Sequence, residues 1–279
     1  MLDYLLEFKE IYYTYPGAKI STLNGLNLKI PVNKKCALIG QNGCGKTTLF
    51  LLANGLYKPQ KGCIYWQGKP LKYERQALID LRQKIGLIFQ DPEQQLVAAT
   101  VEEDISYGLC NLGLPVAEIK TRVEQILAEF DLIELAQKPV HHLSLGQKKR
   151  VSIADVMVLK PELLLLDEPT AYLDRLHTRN LINTLKNIHH QGTTILMATH
   201  DLDLVYLWAD WVFVMDKGKL ILEGSPQSIF SQYEIMTELQ LGVPLIYELL
   251  FSDFADVKEV NLENLRQKIL GKRYDILDR

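Results

Sequence analysis

The chain contains a glycine-rich loop, Gly-Gln-Asn-Gly-Cys-Gly-Lys-Thr at residues 40–47, and few folds accommodate such a loop. The apolar run before it, residues 35–39, predicts a buried strand, and residues 48–53 after it predict a helix. A turn of this kind aims backbone N–H groups and the positive end of the helix dipole at one point, where phosphate binds. Lys46 can then reach the β- and γ-phosphates, and the Thr47 hydroxyl can ligate Mg²⁺. The loop therefore predicts a site for ATP or GTP.

An apolar run that ends in two acids predicts the second half of this site. Residues 162–167 read Glu-Leu-Leu-Leu-Leu-Asp, and their unbroken apolar run indicates a parallel strand that is buried on both faces. A carboxylate at the carboxyl end of such a strand lies beside the phosphate loop in α/β sheets. We therefore expect Asp167 to support Mg²⁺ and Glu168 to orient or polarise the attacking water.

Charge and composition exclude several classes of function. The 279 residues have a formal net charge of −3 and no block of five like charges, so we expect no binding to nucleic acid. The first seven residues include acids and lack the basic region of a secretory signal. The apolar runs are shorter than the roughly 18 residues that span a bilayer, so a role at a membrane would depend on partner subunits. The four cysteines have no metal-ligand spacing and fit reduced, mostly buried thiols.

Periodicity divides the chain into a nucleotide-binding part, residues 1–223, and a small helical extension, residues 224–279. Residues 1–35 predict antiparallel strands, and residues 211–222 predict a hairpin. Helices are predicted over residues 115–135 and 145–158, which belong to a helical subdomain at about residues 91–160.

Four further motifs occur in a fixed order around the two halves of the site. Gln90 follows an apolar strand at residues 84–89 and begins a polar loop. The motif at residues 143–150, Leu-Ser-Leu-Gly-Gln-Lys-Lys-Arg, precedes the acidic strand, and Tyr-Leu-Asp at residues 172–174 follows it. His200 ends the strand predicted for residues 193–199. Each motif alone is weak, but their joint order and spacing are specific.

With these motifs the chain, from Leu5 to Glu223, resembles the nucleotide-binding subunit of an ABC transporter. In that family the motifs are the Walker A loop, Q-loop, LSGGQ motif, Walker B strand, D-loop and H-loop, in this order. The resemblance implies an α/β P-loop ATPase with an antiparallel β subdomain, a helical subdomain and a small C-terminal helical extension. It also implies ATP and Mg²⁺ as ligands.

The resemblance assigns a role to each matching residue. Tyr15 would stack on adenine, Glu168 would be the catalytic base, and His200 would contact the γ-phosphate. Lys46 and Gln90 would complete the catalytic set. Thr47, Gln90 and Asp167 would hold Mg²⁺. The other residues implied in ATP binding are Gly40, Gln41, Asn42, Gly43, Cys44, Gly45, Thr48, Ser144, Gly146, Gln147 and Asp174. Ser144, Gly146 and Gln147 would contact the γ-phosphate of a nucleotide held by a second ABC ATPase subunit. Ser144 also opens a predicted helix, where a hydroxyl and free N–H groups favour an anion.

Two positions depart from the family pattern. Leu145 stands where the family usually has glycine, and Tyr172 replaces a glycine or small residue. The leucine is expected to hinder close approach of the backbone to the γ-phosphate and to weaken one of two composite sites. Hydrolysis is expected to survive, because every charged and hydroxyl group is present.

A narrower resemblance links the chain to the ATPases of energy-coupling-factor importers, which include cobalt and nickel uptake systems. It rests on residues 89–96, 99–104, 107–108 and 148–151 and on the short helical tail. It implies that the segment from Gln90 to Tyr107 receives a membrane T-type component, beside a membrane substrate-binding component. The tail would help to hold two ATPase subunits together, at the cytoplasmic face of the membrane.

Acids in this segment admit two interpretations. Glu93, Glu102, Glu103 and Asp104 either form an acidic surface that suits basic residues of the partner or are the solvated start of a helix. The transported substrate and the choice between homodimer and heterodimer stay open.

Two other functions compete with transport. A soluble ABC-type ATPase acting on nucleic acid or ribosomes usually has two cassettes or long coiled-coil inserts, whereas this chain has one phosphate loop. A P-loop kinase would leave the motif at residues 143–150 without a role.

Overall fold

The computed structural model describes residues 3–251, which form ten strands and ten α-helices within that range. The strands are β1 (Tyr4–Tyr13), β2 (Leu23–Pro31), β3 (Lys35–Ile39), β4 (Lys61–Trp66), β5 (Lys69–Pro70), β6 (Ile85–Ile88), β7 (Leu163–Asp167), β8 (Thr194–Ala198), β9 (Trp211–Asp216) and β10 (Lys219–Gly224). The helices are α1 (Lys46–Ala53), α2 (Arg75–Lys84), α3 (Val101–Asn111), α4 (Val116–Glu129), α5 (Leu145–Met157), α6 (Arg175–His190), α7 (Leu202–Trp208), α8 (Pro226–Phe230), α9 (Tyr233–Glu238) and α10 (Leu245–Phe251). Short 3₁₀ turns lie at Pro92–Gln94, Ile133–Leu135 and Val140–His142.

The first sheet is antiparallel, with strand order β2-β1-β4-β5. Alternate residues of β2, namely Leu26, Leu28 and Ile30, are buried, because successive side chains of a strand point to opposite faces. Phe8 of β1 pairs with Leu28 in this sheet. The antiparallel strands predicted for residues 1–35 are therefore confirmed.

The second sheet has strand order β10-β9-β3-β8-β7-β6 and is parallel except at β10. All five residues of β7 are buried, as predicted for a strand that is covered on both faces. Strands β9 and β10 form the predicted hairpin. Lys217 and Gly218 both have positive φ in its two-residue turn, which matches the right-handed twist of the strands.

Alternation along β7 shows how two cores are separated. Leu163 and Leu165 belong to a cluster that lies between the two sheets and includes Phe8 and Phe50. Leu164 and Leu166 belong to a second cluster with the helices α3 to α6. The sheet therefore separates the β subdomain, with α1 and α2, from the helices α3 to α6.

A third cluster connects the start of the tail to the central strand. Ala37 and Ile39 of β3 share it with Ile229, Phe230 and Met236 of α8 and α9, all fully buried. The predicted division at residue 223 stays a prediction, and residues 252–279 of the predicted extension lie outside the described part. No helix among residues 3–251 has the length and hydropathy required of a membrane span.

Two predicted elements are wrong at their ends. The helix predicted over residues 115–135 ends at Glu129, because Asp131 adopts a left-handed conformation with φ of 53°. The strand predicted for residues 84–89 is shorter, since Lys84 is the last residue of α2, a helix that the sequence pattern did not indicate.

Candidate active site

Four parallel strands bring the predicted motifs to one edge of the sheet. In the register, Leu38 of β3 and Asp167 of β7 both pair with Ala198 of β8, so these three strands end at the same level. Ile88 of β6 pairs with Leu166, which places Gln90 two residues further on, level with Glu168. Loops at the carboxyl ends of parallel strands form the ligand site of such sheets.

The phosphate loop is tightly packed against β9. A Cβ atom added at Gly40 would lie 2.3 Å from the carbonyl oxygen of Met215. Lys46 is buried, and its Nζ donates hydrogen bonds to the carbonyl oxygens of Gly40 at 2.7 Å and Gln41 at 3.2 Å. Since α1 begins at Lys46, its free N–H groups and its lysine are both presented at the loop.

Two other loop residues have contacts that the sequence did not indicate. Cys44 is buried, and burial raises the pKa of its thiol although the Lys46 cation opposes the shift. The Gln41 side-chain amide donates to the Leu239 carbonyl oxygen and to Gln240 Oε1, both at 3.0 Å. The segment after α9 therefore touches the phosphate loop. Asn42 lines an open cleft that Gln240 and His200 also border.

Thr47 and Asp167 form a pair of oxygen ligands. The Thr47 hydroxyl donates to Asp167 Oδ2 at 2.6 Å. Burial raises the pKa of the Asp167 carboxyl, and the hydrogen bond from Thr47 opposes the shift. Hydroxyl and carboxylate oxygens side by side suit Mg²⁺, which prefers hard oxygen ligands. These two residues therefore fit the predicted metal.

Glu168 and His200 are held together at the end of β7 and β8. His200 Nδ1 lies 2.9 Å from Glu168 Oε2, and the Glu168 N–H donates to the Ala198 carbonyl oxygen at 2.9 Å. Glu168 is 8% exposed and has a φ of 45°, in the left-handed region. A buried carboxylate fixed at both backbone and side chain is suited to orient a water molecule.

Gln90 and Tyr15 lie at the margins of this group. Gln90 is exposed at the start of the loop that follows β6. The Tyr15 hydroxyl lies 3.0 Å from Thr48 Oγ1, which ties the tyrosine to α1. Its half-exposed ring packs edge-on against Tyr13 and Tyr57, two aromatic neighbours that the sequence analysis did not single out.

The remaining predicted residues form a second group at the start of α5. Ser144 Oγ accepts from the Gln147 N–H at 3.3 Å, and Gln147 Oε1 accepts from the Ser144 N–H at 2.9 Å. This capping box confirms that Ser144 opens a helix. Leu145 is the first residue of the helix and is partly exposed.

His177 joins this group to Asp174. Asp174 Oδ2 lies 2.8 Å from His177 Nδ1, and the His177 N–H donates to Asp174 Oδ1 at 2.8 Å. A Cβ atom at Gly146 would lie 2.6 Å from His177 Cδ2, so the imidazole packs directly on the glycine. Sequence reasoning missed His177; its position three residues after a helix-capping aspartate was the available signal.

The prediction that Asp104 contributes to an acidic surface at residues 90–107 is wrong. This residue is 1% exposed, and its Oδ1 accepts from the backbone N–H groups of Val97 and Ala98 at 2.8 and 2.7 Å. Glu103 forms a capping box with Thr100 at the start of α3. Glu103, which is exposed, fits the alternative interpretation of a solvated helix start, whereas the burial of Asp104 contradicts both interpretations.

Asp155 is a partly buried carboxyl near Asp104, and it makes stability depend on pH. Burial and the Asp104 charge raise its pKa to about 7, although the Gln95 amide, 3.4 Å away, opposes the shift. Because the pKa in the folded state is above the usual value of 3.8, the stabilisation is complete below that value and is lost as pH rises through about 7.

We expect the thermal midpoint of the wild type to fall by a few degrees more than that of Asp155→Asn between pH 5 and pH 8. Asp80→Asn, at an exposed site, is the control, and equal slopes for all three proteins would contradict this expectation.

Known proteins of one family are similar to this chain over most of its sequence. The family model for the ABC transporter matches residues 23–171. An ABC transporter ATP-binding protein of Nostoc sp. is 67% identical over 270 residues, which cover 97% of this chain and 98% of the relative. The energy-coupling factor transporter ATP-binding protein EcfA of Methanocaldococcus jannaschii is 42% identical over 247 residues, 88% of each chain.

A solved structure extends the comparison to the fold. The structure of cbiO1 from Clostridium perfringens, described as part of the ABC transporter complex cbiONQ, is 42% identical and has a TM-score of 0.76. The alignment covers 89% of this chain and 99% of that one. The predicted fold class, with an antiparallel sheet, a mixed sheet and helices, is thereby confirmed. Matches over so much of the sequence show that the chain belongs to the ABC transporter family, whose ATP-binding subunits hydrolyse ATP.

Proposed function

We propose that the chain is the ATPase of an energy-coupling-factor importer, bound to the cytoplasmic face of the membrane through partner subunits. The observation that carries the proposal is the division of the predicted site into two groups of residues. Lys46, Thr47, Asp167 and Glu168 form one group, and the residues around Ser144 form another, tied to Asp174 by His177. The name of the Methanocaldococcus jannaschii relative supports the type of importer.

Within one subunit, the first group performs the chemistry. Lys46 binds the β- and γ-phosphates, and Thr47, Gln90 and Asp167 would hold Mg²⁺, which neutralises phosphate charge when bound. Glu168 orients the water molecule and accepts its proton as the water attacks the γ-phosphate. His200 holds the Glu168 carboxylate through the 2.9 Å contact.

The second group acts on the nucleotide of a second ATPase subunit. Ser144 and the first N–H groups of α5 form a site for an anion at the start of a helix of 13 residues. When they contact the γ-phosphate held by the opposite subunit, ATP closes the dimer, and hydrolysis reopens it. A kinase would leave this group without a role.

Mixing two inactive variants tests the shared site. Ser144→Arg blocks the second group, and Lys46→Ala removes ATP binding from the first. In mixed dimers one site combines an intact first group with an intact second group. We expect a 1:1 mixture of the purified variants to regain roughly a quarter of the wild-type rate, because half of the dimers are mixed and each has one intact site.

A doubly substituted chain provides the control for this experiment. A mixture of Ser144→Arg with the double variant Ser144→Arg, Lys46→Ala has no intact site and is expected to stay inactive. Failure of the first mixture to regain activity, with mixed dimers present, would contradict a site that is shared between subunits.

We further propose that the segment from Gln90 to Tyr107 receives a membrane T-type component. Val97 and Tyr107 are large apolar side chains exposed on this segment. Glu93 is exposed, but its carboxylate pairs with Lys148 Nζ at 2.6 Å. The exposed apolar side chains can pack against apolar residues of a partner helix, and the exposed Glu93 carboxylate can also pair with a basic residue of that helix. These features support docking of a helix that carries both apolar and basic side chains.

A further inference from the structure

Lys149 is a buried cation that the proposed mechanism does not use. It lies on α5, two residues after Gln147, and is 5% exposed. Its Nζ donates to the carbonyl oxygens of Pro169 at 2.7 Å, Ala171 at 2.9 Å and Glu168 at 3.4 Å. A lysine ammonium has three donors, so these three acceptors use its full capacity.

The three carbonyl groups belong to the turn that directly follows β7. Glu168 and Tyr172 in this turn both have left-handed φ, at 45° and 63°, which is unfavourable for residues with side chains. Such a conformation persists only when its surroundings hold it in place. Lys149 is positioned to hold it, because charge-assisted hydrogen bonds are stronger than neutral ones.

Glu168 is restrained from two other directions. Its side chain contacts His200, and its N–H donates to the Ala198 carbonyl oxygen. Lys149, which belongs to a different element, α5, contacts the backbone carbonyl oxygen of Glu168. That helix begins at the Ser144 cap, about one and a half turns before Lys149. Lys149 therefore connects the helix that starts at Ser144 to the backbone of Glu168.

We propose that Lys149 is a positioning residue that ties α5 to the turn carrying Glu168, so that occupation of the Ser144 group by γ-phosphate and the aim of Glu168 are coupled. This inference rests on the proposed function, in which Glu168 acts on the water molecule. Lys149 touches backbone oxygens, so its effect is on the orientation of Glu168.

Substitution of Lys149 separates positioning from ATP binding. In the purified full-length chain, we expect Lys149→Met to lower kcat for ATP hydrolysis at least about 10-fold, because a small misplacement of a catalytic group slows the reaction strongly. The KM for ATP and the Kd of a fluorescent ATP analogue are expected to change by less than about twofold, since the phosphate loop is untouched.

Lys120→Met is the control for the loss of one lysine. Lys120 is exposed on α4, where its Nζ lies 3.9 Å from Glu124 Oε1 and makes no contact with the turn after β7. We expect this variant to retain the wild-type kcat. An equal loss in both lysine variants would overturn the proposal, because it would indicate a general effect of removing a positive charge.

The dependence of kcat on pH gives a second measurement. Burial lowers the pKa of Lys149 to about 8, while the charges of Glu168 and Asp91 oppose the shift. Arg150 and His177 are further titratable groups around the cavity of about 140 Å³ that Lys149 borders. We expect the wild-type kcat to fall as pH rises through about 8, when the ammonium becomes neutral. Lys149→Arg, which stays charged, is expected to keep its rate across that range.

The outcomes distinguish this inference from the proposed function. If Lys149→Met has the wild-type kcat, or changes only KM, the positioning role is overturned. A pH profile of Lys149→Met with the same fall as the wild type would also overturn it. If instead Glu168→Gln still hydrolyses ATP, the assignment of Glu168 fails, whatever Lys149 does.

Discussion

Glu168→Gln is expected to stop ATP hydrolysis while leaving ATP binding intact. A carboxamide cannot accept a proton from water, and a positioned general base contributes about 10² to 10⁴ in rate, so kcat should fall at least about 100-fold. The amide has nearly the same shape as the carboxylate, and it can keep a hydrogen bond to His200. With ATP bound but not cleaved, the closed pair of subunits should accumulate.

Size-exclusion chromatography with and without Mg-ATP measures this accumulation. We expect the variant to elute as a dimer with ATP and as a smaller species without it. Glu162→Gln is the matched control, because Glu162 is an exposed carboxylate at the opposite end of the same strand, where it accepts from Gln67 at 2.6 Å. This control should hydrolyse ATP at the wild-type rate. A Glu168→Gln variant that stays monomeric in saturating ATP would contradict the two-subunit mechanism.

Local patterns in the sequence predicted much of the first group of residues. The strand before the phosphate loop, the helix after it and the buried β7 are each encoded by a continuous stretch of residues. Their order along the chain also implied that the acidic strand ends beside the loop. The structure adds the 2.6 Å contact of Thr47 with Asp167 and the 2.9 Å contact of Glu168 with His200.

Contacts between distant elements could not be predicted in the same way. Lys149 resembles a surface lysine in sequence, and its burial depends on how α5 packs beside the turn after β7. Asp104 was predicted on an acidic surface, yet two backbone N–H groups of the preceding loop draw its carboxylate inward. In both cases the sequence specifies the charge, and tertiary packing decides whether that charge faces solvent.

The two departures from the family pattern have different structural consequences. Leu145 is an ordinary first residue of a helix, so its backbone does not require glycine; the steric requirement falls on Gly146, against His177. Tyr172 has a φ of 63° and is 83% exposed, so its ring is free to meet another surface although its backbone is strained. The effect expected of Leu145 on a composite site stays a prediction.

Gly40→Ala is expected to weaken ATP binding at least about 100-fold. The reason is that a displaced loop loses the alignment of about two charge-assisted hydrogen bonds to the phosphates of ATP, which costs about 3 kcal/mol or more. The new Cβ would lie 2.3 Å from the Met215 carbonyl oxygen and 2.7 Å from Cys44 Sγ. Met215 cannot withdraw, because β9 is paired with β3 on one side and β10 on the other. The loop must move instead, and it carries Lys46 with it, since the Gly40 carbonyl oxygen accepts from Nζ at 2.7 Å.

Calorimetric titration of the full-length chain with ATP measures the change in affinity, and Gly113→Ala separates crowding at Gly40 from backbone strain. Gly113 has a φ of +69° and no atom within 4 Å of an added Cβ, so alanine there introduces strain without crowding. That control should lose about 1 kcal/mol of unfolding free energy and keep its affinity for ATP. If Gly40→Ala binds ATP as tightly as Gly113→Ala does, the close packing of the loop against β9 is not what shapes the phosphate site.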